Sequence, residues 1–267
     1  MKLMRLAAGQ SNSAWVSVSP SHGPKVARLF CFPFAGGGAA AYFRWPGLIL
    51  SGVEVVRIHL PGRETRLKEP LFERLALLVE TLSAELLHWM DGPFAFYGHS
   101  MGALLAFELA RTLRRKYDLL PIHLFASGFR APQLSPSDSP FSHLPDAEFI
   151  QRVNQWGGLP DLVVQNEELM QIFLPILRAD FKIIESYIYN EEAPLACPIS
   201  AFGGLSDPKV DREKIIAWKM QTSKEFTAHF FLGGHFFLHD SEPLVLDQIN
   251  LQIYKSLSNP LVGGLSG

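Results

Sequence analysis

Ser100 stands in the run Phe94-Ala95-Phe96-Tyr97-Gly98-His99-Ser100-Met101-Gly102-Ala103-Leu104-Leu105, where an apolar stretch gives way to Gly-x-Ser-x-Gly and a helical pattern begins at once. The chemistry such a run could do is nucleophilic. A serine on a sharp strand-to-helix turn sits in strained backbone, and Gly98 and Gly102 are required where a side chain would collide with neighbouring main chain. The turn lifts Oγ clear of the sheet edge. The Met101 N–H, at the positive end of the helix dipole, then faces the place where an oxyanion would develop. A five-residue pattern alone is weak, and the reading needs a base from elsewhere in the chain.

A serine hydroxyl becomes a useful nucleophile when an imidazole accepts its proton and a third group fixes the tautomer of that imidazole. In the α/β-hydrolase arrangement the order is Ser, then Asp or Glu, then His, each on a loop at the carboxyl end of a strand. Two positions fit. Ile199–Phe202 runs into Gly203-Gly204-Leu205-Ser206-Asp207-Pro208, and Phe226–Leu232 runs into Gly233-Gly234-His235-Phe236-Phe237. His239 is the rival base, but the two glycines before His235 give its loop freedom to reach Ser100. Asp211 and Asp240 are the rival acids, yet Asp211 stands where the next helix wants a cap. Most of the other histidines, out of nine, have bland readings; His99 packs the turn rather than carrying protons.

A second oxyanion donor is expected from the loop after an early strand. Pro33-Phe34-Ala35-Gly36-Gly37-Gly38 is that loop, with the Phe34 N–H as candidate and Ala35 next. Ala35, Gly36 and Phe236 are the expected substrate contacts. The loop lacks both the P-loop lysine and the G-x-G-x-x-G spacing, so a nucleotide site is rejected. His and acidic residues are scattered, and no metal site is expected.

The elements that must position these residues read as an alternation. Val26–Phe32, Val53–Leu60, the stretch before Ser100 and Pro121–Ser127 are buried strands. Between them come a short helix over 40–50, a helix with apolar residues at helical spacing from Leu71 to about Met90, and one from the elbow to about Lys116. That order gives a mostly parallel sheet with right-handed crossovers. From Arg130 the pattern breaks. Prolines 132, 136, 140 and 145 are followed by helical segments over Asp146–Trp156, Asn166–Arg178 and Ala179–Tyr189. This insertion, about 131–190, carries Phe149, Trp156, Leu159, Phe173, Phe181 and Tyr187, a composition suited to a lid over an apolar pocket or to a small core of its own. Alternation resumes with Ala196–Phe202, a helix over Asp211–Thr222, a strand Glu225–Leu232 and a last helix over Leu244–Leu257. The main domain is therefore placed at 25–257, between a loose, Ser-containing lead-in over 1–24 and a frayed tail over 258–267.

At 267 residues, with 48% hydrophobic and 19% charged residues and a net charge of −2, the chain fits one large α/β domain. The charge gives no reason to expect nucleic acid or an anionic membrane as partner, and no stretch approaches the roughly 20 apolar residues of a span. Cys31 and Cys197 lie in apolar strand-like runs and read as buried small hydrophobes, so a reducing, cytoplasmic location is expected.

Phe32-Pro33-Phe34-Ala35-Gly36-Gly37, Leu60-Pro61-Gly62-Arg63-Glu64, Gly98-His99-Ser100-Met101-Gly102 with Phe107-Glu108-Leu109-Ala110, Leu177-Arg178-Ala179-Asp180-Phe181, Asp207-Pro208 and Gly233-Gly234-His235-Phe236-Phe237 occur in order. Over about residues 28–255 the chain resembles the type II thioesterases that accompany polyketide and non-ribosomal peptide synthases. The resemblance implies an α/β-hydrolase with a helical lid. It also implies hydrolysis of acyl or aminoacyl groups from the phosphopantetheine arm of acyl or peptidyl carrier domains, with no cofactor of its own and a monomeric enzyme. Ser100, Asp207 and His235 fall on the family's triad, Phe34 and Met101 on its oxyanion pair. Two other readings are a small carboxylesterase or lipase and a carrier-binding protein with an inactive site. The pathway acyltransferases share Gly-His-Ser-x-Gly but follow it with Glu, where Ala103 stands here. Carrier domains are usually acidic, so Arg63 and Arg66, or Arg111, Arg114, Arg115 and Lys116, are candidate docking cations.

Overall fold

The computed structural model describes residues 13–136, 138–155, 157 and 165–258. The strands inside its sheet are apolar runs largely buried on both faces, as a parallel sheet covered by helices requires, while the two edge strands are only partly buried. The strands are β1 (Val16–Ser19), β2 (Ala27–Phe32), β3 (Val53–Ile58), β4 (Phe94–His99), β5 (His123–Ser127), β6 (Ile199–Gly204) and β7 (Phe226–Phe231). The seven form one sheet in the order β1-β3-β2-β4-β5-β6-β7. All neighbours are parallel except β1, which runs antiparallel to β3.

Register decides where the chemistry can gather. Phe32 lies opposite Gly98, His99 opposite Ser127, Ser127 opposite Phe202, and Gly204 opposite Phe231. The carboxyl ends of five adjacent strands are thus level, and the loops leaving them meet along one edge.

The helices are α1 (Leu75–Glu85), α2 (Met101–Tyr117), α3 (Asp146–Asn154), α4 (Glu167–Glu185), α5 (Arg212–Ile216), α6 (Phe237–Asp240) and α7 (Glu242–Ser258). α1 and α2 pack one face of the sheet, with Leu82, Leu104, Phe107 and Leu113 against Phe30 and Phe96. α7 covers the other, with Val245, Ile249 and Ile253 beside Tyr97 and Phe125. Between β5 and β6, α3 and α4 pack on each other through Phe141, Phe149, Val153, Leu177 and Phe181. Cys31 and Cys197 are free thiols, both buried.

Four local expectations are corrected. The loose lead-in over 1–24 contains a strand: Val16 pairs with Ile58 and Ser19 with Val55. Serines alternate with valines there, Ser17 Oγ lying 2.9 Å from His59 Nε2, so its polarity disguised a period of two. The short helix over 40–50 is instead two 3₁₀ turns, Ala39–Tyr42 and Trp45–Gly47, divided before Pro46. The segments split at Arg178 are one helix, α4, which carries Pro175 inside it and buries Ile176 and Leu177 before the join and Ala179, Asp180 and Phe181 after it. The helix over Asp211–Thr222 is the single turn α5 followed by a 3₁₀ stretch, Ala217–Gln221. Of the large apolar residues expected over the pocket, Trp156 and Leu159 lie outside the described residues, as does the tail from residue 259.

Candidate active site

β4 delivers Ser100 at φ 52° and ψ −119°, a conformation that non-glycine residues seldom adopt and that surrounding structure must enforce. The enforcement is steric. A Cβ on Gly98 would overlap the Gly102 carbonyl, and one on Gly102 would overlap the Phe32 carbonyl. Only glycine lets β4, α2 and the end of β2 approach this closely. From the neighbouring strand, the Ser127 carbonyl accepts the Ser100 N–H at 2.7 Å. Ser127 Oγ lies 2.9 Å from His99 Nδ1, so one residue braces both halves of the turn. His99 is wholly buried, and burial, aided by the nearby His235, pushes its pKa well below the usual imidazole value.

His235 Nε2 lies 3.0 Å from Ser100 Oγ, and its Nδ1 lies 2.8 Å from Asp207 Oδ2. The three side chains come from loops after β4, β6 and β7, up to 135 positions apart in sequence. Asp207 Oδ1 accepts from the N–H groups of Lys209 (2.9 Å) and Val210 (3.1 Å), which fix the carboxylate plane. The Asp207 side chain is fully buried and that of His235 nearly so. In this arrangement a carboxylate can hold Nδ1–H, leaving Nε2 to take a hydroxyl proton. The rivals lie outside the chain of contacts: His239 stacks on Phe236, and Asp211 caps α5 by accepting the Lys214 N–H at 3.0 Å.

Comparison with known proteins agrees with this geometry. The thioesterase domain family matches residues 27–253. The chain belongs to that family. It is 44% identical to the gramicidin S biosynthesis protein GrsT of Aneurinibacillus migulanus over 233 residues, covering 87% of this chain and 91% of that one. Against thioesterase PikA5 of Streptomyces venezuelae identity is 38%, over 80% and 76% of the two chains. The solved RedJ thioesterase of the prodiginine pathway in Streptomyces coelicolor superposes with a TM-score of 0.81 at 35% identity, covering 88% of this chain and 95% of that one. The type II thioesterase BorB from the borrelidin cluster gives 0.82 at 32% identity, over 90% and 98%. The fold is that of the α/β-hydrolases.

In this family member, Ser100 and His235 open into a cavity of about 120 Å³ whose wall includes Phe34, Ala35 and Phe236 among the expected contacts. The cavity runs on to Phe141, Val153, Leu177 and Phe181 of the α3–α4 block. Phe34 is wedged edge-on against Phe236 (5.0 Å between centroids) and His99 (6.0 Å), which fixes the loop that carries its N–H. Met101 opens α2 directly after Ser100, so its N–H is among those at a helix start that lack an intrahelical acceptor. Gly36 is set apart from its expected role. It is absent from the cavity wall, and its N–H is taken by Asp180 Oδ2 at 2.8 Å.

That bond belongs to a network the spacing of residues did not signal. Asp180 of α4 is 1% exposed and pairs bidentately with Arg63 at 2.7 and 2.8 Å, while Arg63 also donates to the Gly37 carbonyl at 3.0 Å. Next to it Glu64, at φ 50°, accepts from the N–H groups of Ala39 (3.0 Å) and Ala40 (2.9 Å). The candidate docking cations are likewise engaged within the protein. Arg66 is bidentate to Glu69, Arg111 pairs with Glu108, Arg114 and Arg115 share Glu192, and Lys116 meets Glu80. These cations are thus engaged in ion pairs within the protein, with Arg111, Arg114 and Arg115 sharing two acids, Glu108 and Glu192. Among the described residues no group of three or more His, Cys, Asp or Glu could hold a metal ion, and no helix is long and apolar enough to cross a membrane.

Proposed function

We propose that this thioesterase hydrolyses acyl or aminoacyl thioesters carried on the phosphopantetheine arm of carrier domains, clearing stalled groups from a polyketide or non-ribosomal peptide synthase. The observation that carries the reading is the unbroken contact series Ser100–His235–Asp207 at the mouth of an apolar cavity. GrsT and PikA5, the relatives cited above, support the biosynthetic setting.

In the first half-reaction His235 Nε2 takes the Ser100 proton as Oγ attacks the thioester carbon. The resulting oxyanion is received by the N–H groups of Phe34 and Met101. Donors of this kind contribute about 3–4 kcal/mol each to such a transition state. The carbon–sulfur bond breaks, and the departing thiolate takes the proton from His235. In the second half, water gives a proton to the same nitrogen and attacks the acyl-serine, and Ser100 recovers its proton as the acid leaves. Asp207 stays ionised and holds the imidazole in the required tautomer.

We infer that α3 and α4, within the insertion over about 131–190, form a lid over the acyl group. The two buried free thiols support a reducing, cytoplasmic setting. A panel of carrier-bound acyl thioesters of graded length tests the reading. Turnover that vanishes in Ser100→Ala supports it. Full hydrolysis by that variant, or hydrolysis of simple esters with none of carrier thioesters, sinks it.

A further inference from the structure

A cation without a countercharge faces the acyl cavity. Arg130 follows β5 by three residues, is 9% exposed, and lines the same cavity as Ser100 and His235. Its guanidinium makes one hydrogen bond among the described residues, Nε to the Leu134 carbonyl at 3.0 Å, and its Cζ lies 5.0 Å from the Phe129 ring centre. No carboxylate among those residues approaches within ion-pair distance. The acids on the same wall are committed elsewhere. Glu185 accepts from the N–H groups of Phe141 (2.7 Å) and Ser142 (3.0 Å) and from the Ser142 hydroxyl, while Asp138 pairs with Lys209 at 3.0 Å.

Burying a charge without a partner is among the costliest arrangements in a protein, and a site that leaves donors unfilled discriminates strongly for a ligand that fills them. Burial also lowers the pKa of this guanidinium. Apart from Ser139 and the Asp138–Lys209 pair, much of the remaining wall is hydrocarbon: Phe129, Phe141, Leu177 and Phe181 offer nothing to an oxygen. We propose that Arg130 is a specificity residue which reads an oxygen acceptor on the acyl chain, so that the cavity takes short oxygenated acyl groups in preference to plain alkanoyl groups of equal length. The acceptor is either a distal carboxylate or a neutral carbonyl. Both present lone pairs to the N–H fork, which lines the same cavity of about 120 Å³ as Ser100, a volume suited to a short chain.

The proposal rests on the thioesterase reading, and its test keeps the two apart. Three four-carbon pantetheine thioesters are compared: butyryl, acetoacetyl and succinyl. Hydrolysis of butyryl thioester by the unaltered protein, and its loss in Ser100→Ala, bears on the enzyme reading alone. The proposal is read from ratios of kcat/KM. In Arg130→Met the acetoacetyl-to-butyryl or succinyl-to-butyryl ratio is expected to fall at least tenfold. A fall confined to succinyl marks an anion reader, and a fall in both marks a carbonyl reader. Ratios unchanged within twofold overturn the proposal, and so does an equal loss on all three substrates. Should Arg130→Met not fold, product inhibition of the unaltered enzyme decides. Acetoacetate or succinate is expected to inhibit at least tenfold more tightly than butyrate, and equal inhibition constants overturn the idea.

Discussion

The reacting end of the molecule and the helical block above it are held by different means. Around Ser100 the constraint is backbone. Strand register levels the loops, two glycines permit an approach that any Cβ would forbid, and Ser100 is forced into a strained conformation. The α3–α4 block is fastened instead by side chains that bridge separate elements. Examples are Asp180 to Arg63, Arg178 to Asp146, and Glu185 to the Phe141 and Ser142 amides. Backbone collisions leave no room for variation, whereas side-chain fastenings can be exchanged one at a time. The difference teaches that the chemistry is fixed by sterics, while the shape of the acyl cavity is open to change.

Substitutions that separate chemistry from stability break or sharpen that contrast. Ser100→Ala carries the largest effect. It is expected to lower kcat by about four to six orders of magnitude, while the denaturant midpoint stays level or rises. A midpoint that fell substantially would show the serine side chain to be part of the fold's support. Asp180→Ala is expected to do the reverse. It strands a buried guanidinium and frees the Gly36 N–H, at a cost of about 3–5 kcal/mol of stability. The protein that remains folded retains thioester hydrolysis, and urea melts beside active-site titration measure the two quantities separately.

Glu64 offers a pH-dependent version of the same fastening. Its contact with His59, with the Ala40 and Ala39 amides behind it, lowers its pKa from 4.5 to about 2, against an opposing push from burial. A carboxyl whose folded pKa is depressed contributes stability that is complete above its unfolded value. That contribution is lost as pH falls from 4.5 through about 2. The stability gap between the parent and Glu64→Gln should therefore narrow across that window in denaturation curves taken at stepped pH; a constant gap would assign the loss to packing. The smallest effect is expected at the edge of the molecule. Asp211→Ala removes the cap of α5 and should cost about 1 kcal/mol, with kcat unaltered.

The same contrast explains what the sequence disclosed. Ser100, Asp207 and His235 were legible because each follows a short apolar strand and sits among glycines whose spacing has a steric cause. The alternation of strands and helices placed the sheet for a similar reason. The Arg63–Asp180 pair was not legible as a contact: each residue stands in a recognisable run, but the two lie 117 positions apart and nothing in either run names the other. The first strand escaped notice because an edge strand with one wet face needs few apolar residues, and Trp15 and Val16 supply the anchor. Pro175 and the Arg178–Ala179 junction suggested a break in what is one helix, because tertiary burial outweighed local propensity. The docking arginines illustrate the limit of counting charges. Arg114 and Arg115 are sequence neighbours with one shared acid, Glu192, 77 or more positions away.

The two cysteines settle a practical matter. Cys31 is inaccessible, with burial raising its pKa well above the usual thiol value, and Cys197 is pushed up to about 12 by the same cause. Thiolate is the reactive form, so with both thiols buried the native enzyme is expected to be silent toward disulfide reagents. Every equivalent of colour in a thiol-release assay then counts one cleaved substrate, whereas denatured enzyme adds two equivalents of its own. A single reagent can thus report both turnover and the fraction of the sample that has unfolded.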